Sequence, residues 1–441
     1  MKEVGEMQQL RQRIHSRTAK VGVIGLGYVG LPMAVGAAVA GYPVIGFDID
    51  KRKIDAIAAG ERYIEDVEPD EWKLAIESGR LIATMDFVRL RECDVVLICV
   101  PTPISRAKEP DMSAVEAATD AIARALRAEQ LIIVESTTYP GTTVELVKPR
   151  LEATGLRAGI DFALVFSPER IDPGNKRFKL RQVPKVVGGL TEQCTQLAVE
   201  FYSPFIERLV PVSSPTAAEM TKIYENVFRS VNIALVNELA LLCNRMGLNV
   251  WEVIDAASTK PYGFMTFYPG PGLGGHCIPV DPYYLAWKAR HYDFHVKFVE
   301  LSATINDSMP YYVCSRVNDA LNSVRKSING SDILILGVTY KRDVADLRES
   351  PALKIIEILH QRGAKVSYHD PYIPTLHVHD HVDLHLQSET LSPERLRQAD
   401  CVVVVADHSS YDWAMVAEHA PLIVDTRNAL KAFPALHIWK L

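Results

Sequence analysis

The chain has 441 residues, 48% hydrophobic and 23% charged, which excludes a small cross-linked scaffold and a disordered polymer and suggests two or three domains. With 48 basic against 54 acidic side chains the formal charge is -6, so no nucleic-acid partner is expected. The seven cysteines are odd in number, scattered and never spaced as CxxC, which argues against a disulfide framework or zinc knuckle and for a reducing, cytoplasmic setting.

Residues 21–47 carry no charge and follow a basic start, the outline of a membrane anchor. Seven glycines and two prolines break that run. It reads as a strand at 21–24, an apolar helix at 28–40 and a strand at 44–47 ending at Asp48, so no membrane span is expected. Strands follow at 95–100, 131–135, 164–166 and 185–187, with a helix at 113–128. This alternation predicts a parallel sheet covered on both faces. After Ser214 and Pro215, Thr216-Ala-Ala-Glu219 reads as a capping box opening one helix that ends at Met246 before Gly247, about nine turns at 3.6 residues each. Such a helix spans two domains and offers apolar faces to a second subunit. A further strand, helix, strand succession covers 332–336, 351–362 and 365–368, with later strands at 401–406 and 422–424. The expected class is α/β, with two Rossmann-like doubly wound domains joined by a long central helix. The boundaries are 1–213, 214–320 and 321–441.

Between the first strand and helix lies Gly25-Leu26-Gly27-Tyr28-Val29-Gly30, a turn whose glycines admit a pyrophosphate at a helix N-terminus. Asp48 closes the next strand, where a carboxylate accepts from a ribose diol and repels a 2′-phosphate, so NAD rather than NADP is expected. The second α/β segment continues as Gly337-Val338-Thr339-Tyr340-Lys341 and lacks that spacing. Lys341, Arg342 and Arg348 instead suit a different phosphate-bearing molecule, although a solvated surface charge accounts for any one of them singly.

The stretch from Pro269 to Asp281 (PGPGLGGHCIPVD) delivers a single thiol, Cys277, on a loop dense in Gly and Pro. His276 is a poor base for its neighbour, because adjacent side chains point apart. On the long helix Lys222, Asn226 and Arg229 form a polar stripe, either a solvent-facing side or a cleft wall. Thr137 and Glu169 both follow strands of the first sheet, at the edge where ligands sit. His377, His379, His381, Asp383 and His385 alternate, so in one extended segment all would share a face able to bind a metal. Nothing else in the chemistry needs one, and no metal is expected.

Together GLGYVGLP, Pro101-Thr102-Pro103, ESTTYPGTT, SPERIDPGN, EMTKIYENVFRSVNIALVNELA, PGPGLGGHCIPVD, YKRDVADLRESPAL and VDTRN resemble the UDP-glucose/GDP-mannose dehydrogenase family across residues 21–428. The resemblance implies an NAD-binding first domain, a central dimerisation domain carrying the Cys loop, and a UDP-sugar-binding last domain. It implies oxidation of a sugar C6 alcohol to the acid in two steps. Cys277 would form a thiohemiacetal and then a thioester, and Lys222 would stabilise the oxyanion with an amide donor from Asn226. Asp281 and Thr137 would orient water or assist proton transfer, with Glu169 as candidate base for hydrolysis. Around NAD it places Gly25, Gly27, Tyr28, Val29, Gly30, Asp48, Lys53, Thr102, Thr137 and Arg348. Around the nucleotide sugar it places Glu169, Arg170, Lys222, Asn226, Tyr268, Gly270, Gly272, Gly274, Tyr340, Lys341 and Arg427. Within the family, SPERIDPGN with FYPGPGLGGHCIPVDPYYLAWKAR is most similar to the branch acting on UDP-N-acetylglucosamine. Tyr268 stands where the UDP-glucose enzymes often carry lysine. A homodimer or higher homo-oligomer is implied.

Overall fold

The computed structural model describes residues 7–105, 108–170, 178–275, 278–379 and 382–441; His276, Cys277 and His381 lie outside them. The chain forms two compact units, Met1–Glu225 with Tyr283–Phe294, and Asn226–Pro282 with His295–Leu441.

In the first unit eight strands form one sheet: β1 Val21–Ile24, β2 Val44–Phe47, β3 Leu81–Thr84, β4 Val95–Ile98, β5 Leu131–Val134, β6 Ala163–Phe166, β7 Lys185–Gly189 and β8 Leu209–Val212. Their order is β3-β2-β1-β4-β5-β6-β7-β8. The order reverses between β1 and β4, which makes that crevice the expected ligand edge. β1, β2, β4, β5 and β6 are buried along their whole length, as apolar runs without alternation require when helices cover both faces. One expectation fails: β7 runs antiparallel to β6. Among the described residues between these strands the only helix is the three-residue turn Leu180–Gln182, shorter than the crossover that a parallel pair needs. The uncharged run 21–47 folds as strand, turn, helix Gly30–Val39 and strand; the helix starts two residues later than expected because 25–29 are spent on the turn.

The long helix runs Pro215–Met246. Its start differs from the expected capping box. Ser214 Oγ accepts from Ala217 N at 3.1 Å and Pro215 fills the first helical position. Glu219 turns away and accepts from Gly141 N at 2.5 Å, Thr143 N at 2.8 Å and Thr143 Oγ1 at 2.6 Å, tying the loop after β5 to the helix. At the other end Gly247, at φ 70°, lets Leu248 N reach Cys243 O at 2.8 Å, a Schellman stop.

The second unit contains β9 Asp332–Leu336, β10 Lys365–His369, β11 Thr375–Val378, β12 Leu384–Gln387, β13 Cys401–Val404, β14 Ile423–Asp425 and β15 Ile438–Lys440. A five-stranded parallel sheet has the order β10-β9-β13-β14-β15, and β11 with β12 forms an antiparallel hairpin. His377 and His385 therefore lie on two paired strands, not along one extended segment. β11, β12 and β15 are short and half-exposed, which hid them from an apolar-run reading.

The two sheets share one device. After β1, Gly25 at φ 90° turns the chain and Leu26 N donates to Asp48 Oδ2 at 2.8 Å. After β9, Gly337 at φ 78° turns the chain and Val338 N donates to Asp370 Oδ2 at 2.7 Å. In both, only glycine fits: a Cβ at Gly25 would sit 2.5 Å from Cys99 O, and one at Gly337 would sit 2.4 Å from Ala406 O.

Candidate active site

In the first unit the Gly-rich turn is built for a close neighbour. A Cβ at Gly30 would lie 1.8 Å from Gly25 O, so the helix presses directly on the turn, while a Cβ at Gly27 would meet nothing within 4 Å. The helix Gly30–Val39 has no side-chain cap at its N-terminus, leaving its first amides for an anion. A dinucleotide pyrophosphate fits that combination. Asp48 is buried and spends Oδ2 on Leu26 N and Lys53 Nζ, both at 2.8 Å, and Oδ1 on Asp50 N at 2.9 Å. Asp48 thus braces the turn, and Lys53 is its ion-pair partner. Thr102 is buried, and Tyr284 from the helix Asp281–Arg290 donates to Thr102 O at 3.0 Å and Pro103 O at 3.2 Å. Tyr284 is a positioning residue that the sequence reading missed.

Thr137 is half-buried just past β5. Two residues earlier, Glu135 is fully buried and accepts from Lys185 Nζ at 2.8 Å and Tyr202 OH at 2.5 Å. Burial alone would push the Lys185 ammonium toward neutrality, but the Glu135 carboxylate and then Glu169 hold its pKa above the usual lysine value. Lys185 Nζ also reaches Pro168 O at 3.5 Å, next to Glu169. This triad escaped the sequence reading, although a Glu closing an apolar strand and a Lys opening another were its signals. Glu169 is buried and its Oε1 accepts from Arg170 N at 2.5 Å. The Arg170 guanidinium pairs with Glu225 and donates to Pro184 O at 2.7 Å. Lys222 is 8% exposed, and among the described residues it has neither an ion pair nor a hydrogen-bond partner. A buried, uncompensated ammonium is costly unless a negative group comes to it.

In the second unit Asn226 Nδ2 donates to Asp281 Oδ2 at 2.5 Å, both residues being buried. The Asn226 amide keeps one N–H for another acceptor. Thr137, expected to work with Asp281, belongs to the first unit. The loop before Cys277 is threaded through close approaches. Gly270 N donates to Asn237 Oδ1 at 3.0 Å, Asn237 Nδ2 to Asn306 Oδ1 at 2.9 Å, and Asn306 Nδ2 to Ser230 O at 3.1 Å. A Cβ at Gly270 would lie 2.7 Å from the Arg427 guanidinium and one at Gly274 2.5 Å from Tyr340 Cβ; Gly272 takes φ 137°. These glycines therefore bring the loop onto Tyr340 and Arg427. Tyr268 stacks on Trp251 at 5.6 Å and donates to Asp255 Oδ1 at 2.7 Å, which fixes its ring.

Arg427 donates from Nε to Val405 O at 2.8 Å, and burial, then the charge of Arg342, pull its pKa down to about 10. Lys341 neighbours Arg342, which pairs with Asp407. Guanidinium and ammonium groups of this kind suit a pyrophosphate. Arg348, expected at NAD, lies in this second unit with its guanidinium bound to Asp346 at 2.6 Å. Buried His408 bonds Asp370 Oδ2 at 3.1 Å and accepts from Asp343 N at 2.9 Å, fixing the loop that carries Lys341.

Comparison with known families decides the broader identity. Three models of the UDP-glucose/GDP-mannose dehydrogenase family match in order: its NAD binding domain over residues 19–206, its central domain over 216–308 and its UDP binding domain over 334–432. The chain belongs to the UDP-glucose/GDP-mannose dehydrogenase family. This dehydrogenase is 35% identical over 427 residues to the UDP-N-acetyl-D-mannosamine dehydrogenase of Pyrococcus horikoshii, covering 96% of this chain and 98% of that one. It is 38% identical over 356 residues to a UDP-N-acetyl-D-glucosamine 6-dehydrogenase of Pseudomonas aeruginosa, covering 80% and 83%. The solved UDP-D-ManNAc dehydrogenase structure from Pyrococcus horikoshii superposes with a TM-score of 0.87 at 34% identity, covering 96% and 98%. The dehydrogenase is an NAD-dependent oxidoreductase of the nucleotide-sugar class, with a UDP-sugar-binding domain.

Proposed function

We propose that the enzyme oxidises the C6 hydroxyl of UDP-N-acetylglucosamine to the carboxylate, for a bacterial surface polysaccharide, with Cys277 carrying the sugar covalently. The observation that carries the reading is Lys222, a buried ammonium without a partner among the described residues. It is suited to an alkoxide or tetrahedral oxyanion, where a cation in a closed site acts far more strongly than in water. NAD, when bound, supplies a hydride acceptor for each of two oxidations. The Cys277 thiolate adds to the aldehyde carbon, giving a thiohemiacetal whose oxyanion calls for the Lys222 ammonium and an Asn226 N–H. Its oxidation leaves a thioester. Glu169 takes a proton from water, the hydroxide adds to the thioester carbon, and collapse expels the thiolate and releases the acid. Asp281, holding Asn226, and Thr137 orient the water and the leaving proton.

Lys341 and Arg427 take the pyrophosphate and the loop 268–274 takes the nucleotide sugar. On the long helix Tyr224, Phe228, Leu235 and Leu242 recur at one helical face and are 40% to 67% exposed, which supports pairing with a second subunit. A second reading, the N-acetylmannosamine epimer, is favoured by the relative that aligns over 96% of this chain. Both readings are tested by offering purified enzyme UDP-N-acetylglucosamine, UDP-N-acetylmannosamine and UDP-glucose and following NADH absorbance. The proposal requires the highest kcat/KM for the first; a preference for the second installs the epimer, and no NADH from any of them rejects the activity.

A further inference from the structure

The hairpin of β11 and β12 carries a cluster that the dehydrogenase chemistry does not use. His377 and His385 are direct cross-strand partners, with rings stacked at 3.9 Å and 17°. Asp383 Oδ1 lies 2.7 Å from His377 Nε2 and 3.5 Å from His385 Nε2. One ligand atom from each of the three residues falls within 4.8 Å of the others.

We propose that His377, Asp383 and His385 form a surface site for a borderline divalent transition-metal ion of the zinc type. Two imidazoles and one carboxylate are a donor set such ions prefer, and hard cations such as Mg2+ favour oxygen-only sets. Zinc-to-ligand bonds of about 2.0–2.1 Å place tetrahedral ligand atoms about 3.3 Å apart. The two separations to Asp383 bracket that value, so small rotations of exposed side chains suffice to close around an ion. His379, its ring 5.3 Å from that of His377, is within reach of the fourth position, which water otherwise takes. The bound ion ties the two strands together across the hairpin, fixing the register that pairs His377 with His385. No metal was expected from the sequence because the oxidation chemistry needs none, and alternation along one strand does not say which residues a hairpin brings face to face.

The full-length protein, stripped with chelator, is titrated with ZnCl2, and bound metal is counted after equilibrium dialysis. Wild type is expected to hold one more Zn2+ per chain than H377A/H385A. D383N, which preserves size and polarity, is expected to weaken that binding by at least about tenfold. Amide hydrogen exchange in Thr375–Val378 and Leu384–Gln387 is expected to slow with Zn2+ in wild type, and neither with Mg2+ nor in the double variant. Equal zinc content in wild type and H377A/H385A, or exchange in both strands indifferent to Zn2+, overturns the proposal.

Discussion

An ammonium taken out of water without a counter-charge costs several kcal/mol, which is why the proposed mechanism gives buried Lys222 a negative partner in the reaction. Replacing Lys222 with Ala is expected to lower kcat by about 10²- to 10³-fold with a much smaller change in KM, the loss typical of one oxyanion donor, measured as initial NADH formation. An unchanged kcat contradicts the assignment. Lys185 differs because its charge is already matched. Lys185→Met strands the fully buried Glu135 carboxylate and is expected to destabilise by about 3–5 kcal/mol, whereas E135L/K185M recovers most of that in thermal melts. Asp370 gives a pH test. Burial pushes its pKa up, but His408 and the N–H groups of Val338 and Tyr372 prevail and hold it below the usual aspartate value. A carboxyl depressed in the folded state contributes stability above its unfolded pKa of about 3.9 and loses it as pH falls through the folded value. The melting-temperature gap between wild type and D370N should thus be wide at neutral pH and narrow in acid.

The three glycines of the first turn separate folding from binding within one element. Gly25→Ala forces a side chain into positive φ and onto a carbonyl, and is expected to destabilise by about 1–3 kcal/mol. Gly27→Ala meets no protein atom within 4 Å, so thermal stability should hold while KM for NAD rises at least about tenfold. Equal melting losses in both would contradict the roles assigned to them. The first βαβ unit was legible because uncharged strands, a glycine turn and a closing Asp are local signals. The brace from Leu26 N to Asp48 and its counterpart from Val338 N to Asp370 were not, since only folding brings strand ends into register. Thr216 and Glu219 show how a local pattern misleads: the spacing of a capping box is present, but the loop at Gly141 and Thr143 offers Glu219 better donors than the helix start does. Antiparallel β7 was illegible for a similar reason, as direction is set by the connection and not by the strand's own residues.

At the scale of the whole molecule, residues adjacent along the long helix fall into separate units, Lys222 in the first and Asn226 in the second. The helix that carries them also exposes Leu235 and Leu242. Leu235→Asp is expected to shift the protein toward monomer in light scattering, and an unaltered mass would reject this face as the self-association surface. Motifs far apart in the chain point to the proposed reagents, the thiol, the ammonium and the bases, yet the polar ties that hold the loop 268–274 run through Asn237, which the long-helix motif contains without singling out, and Asn306, which lies in no motif. The central claim is that sulfur carries the sugar between two oxidations. Intact-mass spectrometry of Glu169→Gln incubated with NAD and UDP-N-acetylglucosamine tests it most directly. A covalent UDP-sugar adduct on Cys277, accumulating with NADH and absent from E169Q/C277A, is the predicted result; NADH accumulating with unmodified Cys277 would contradict it.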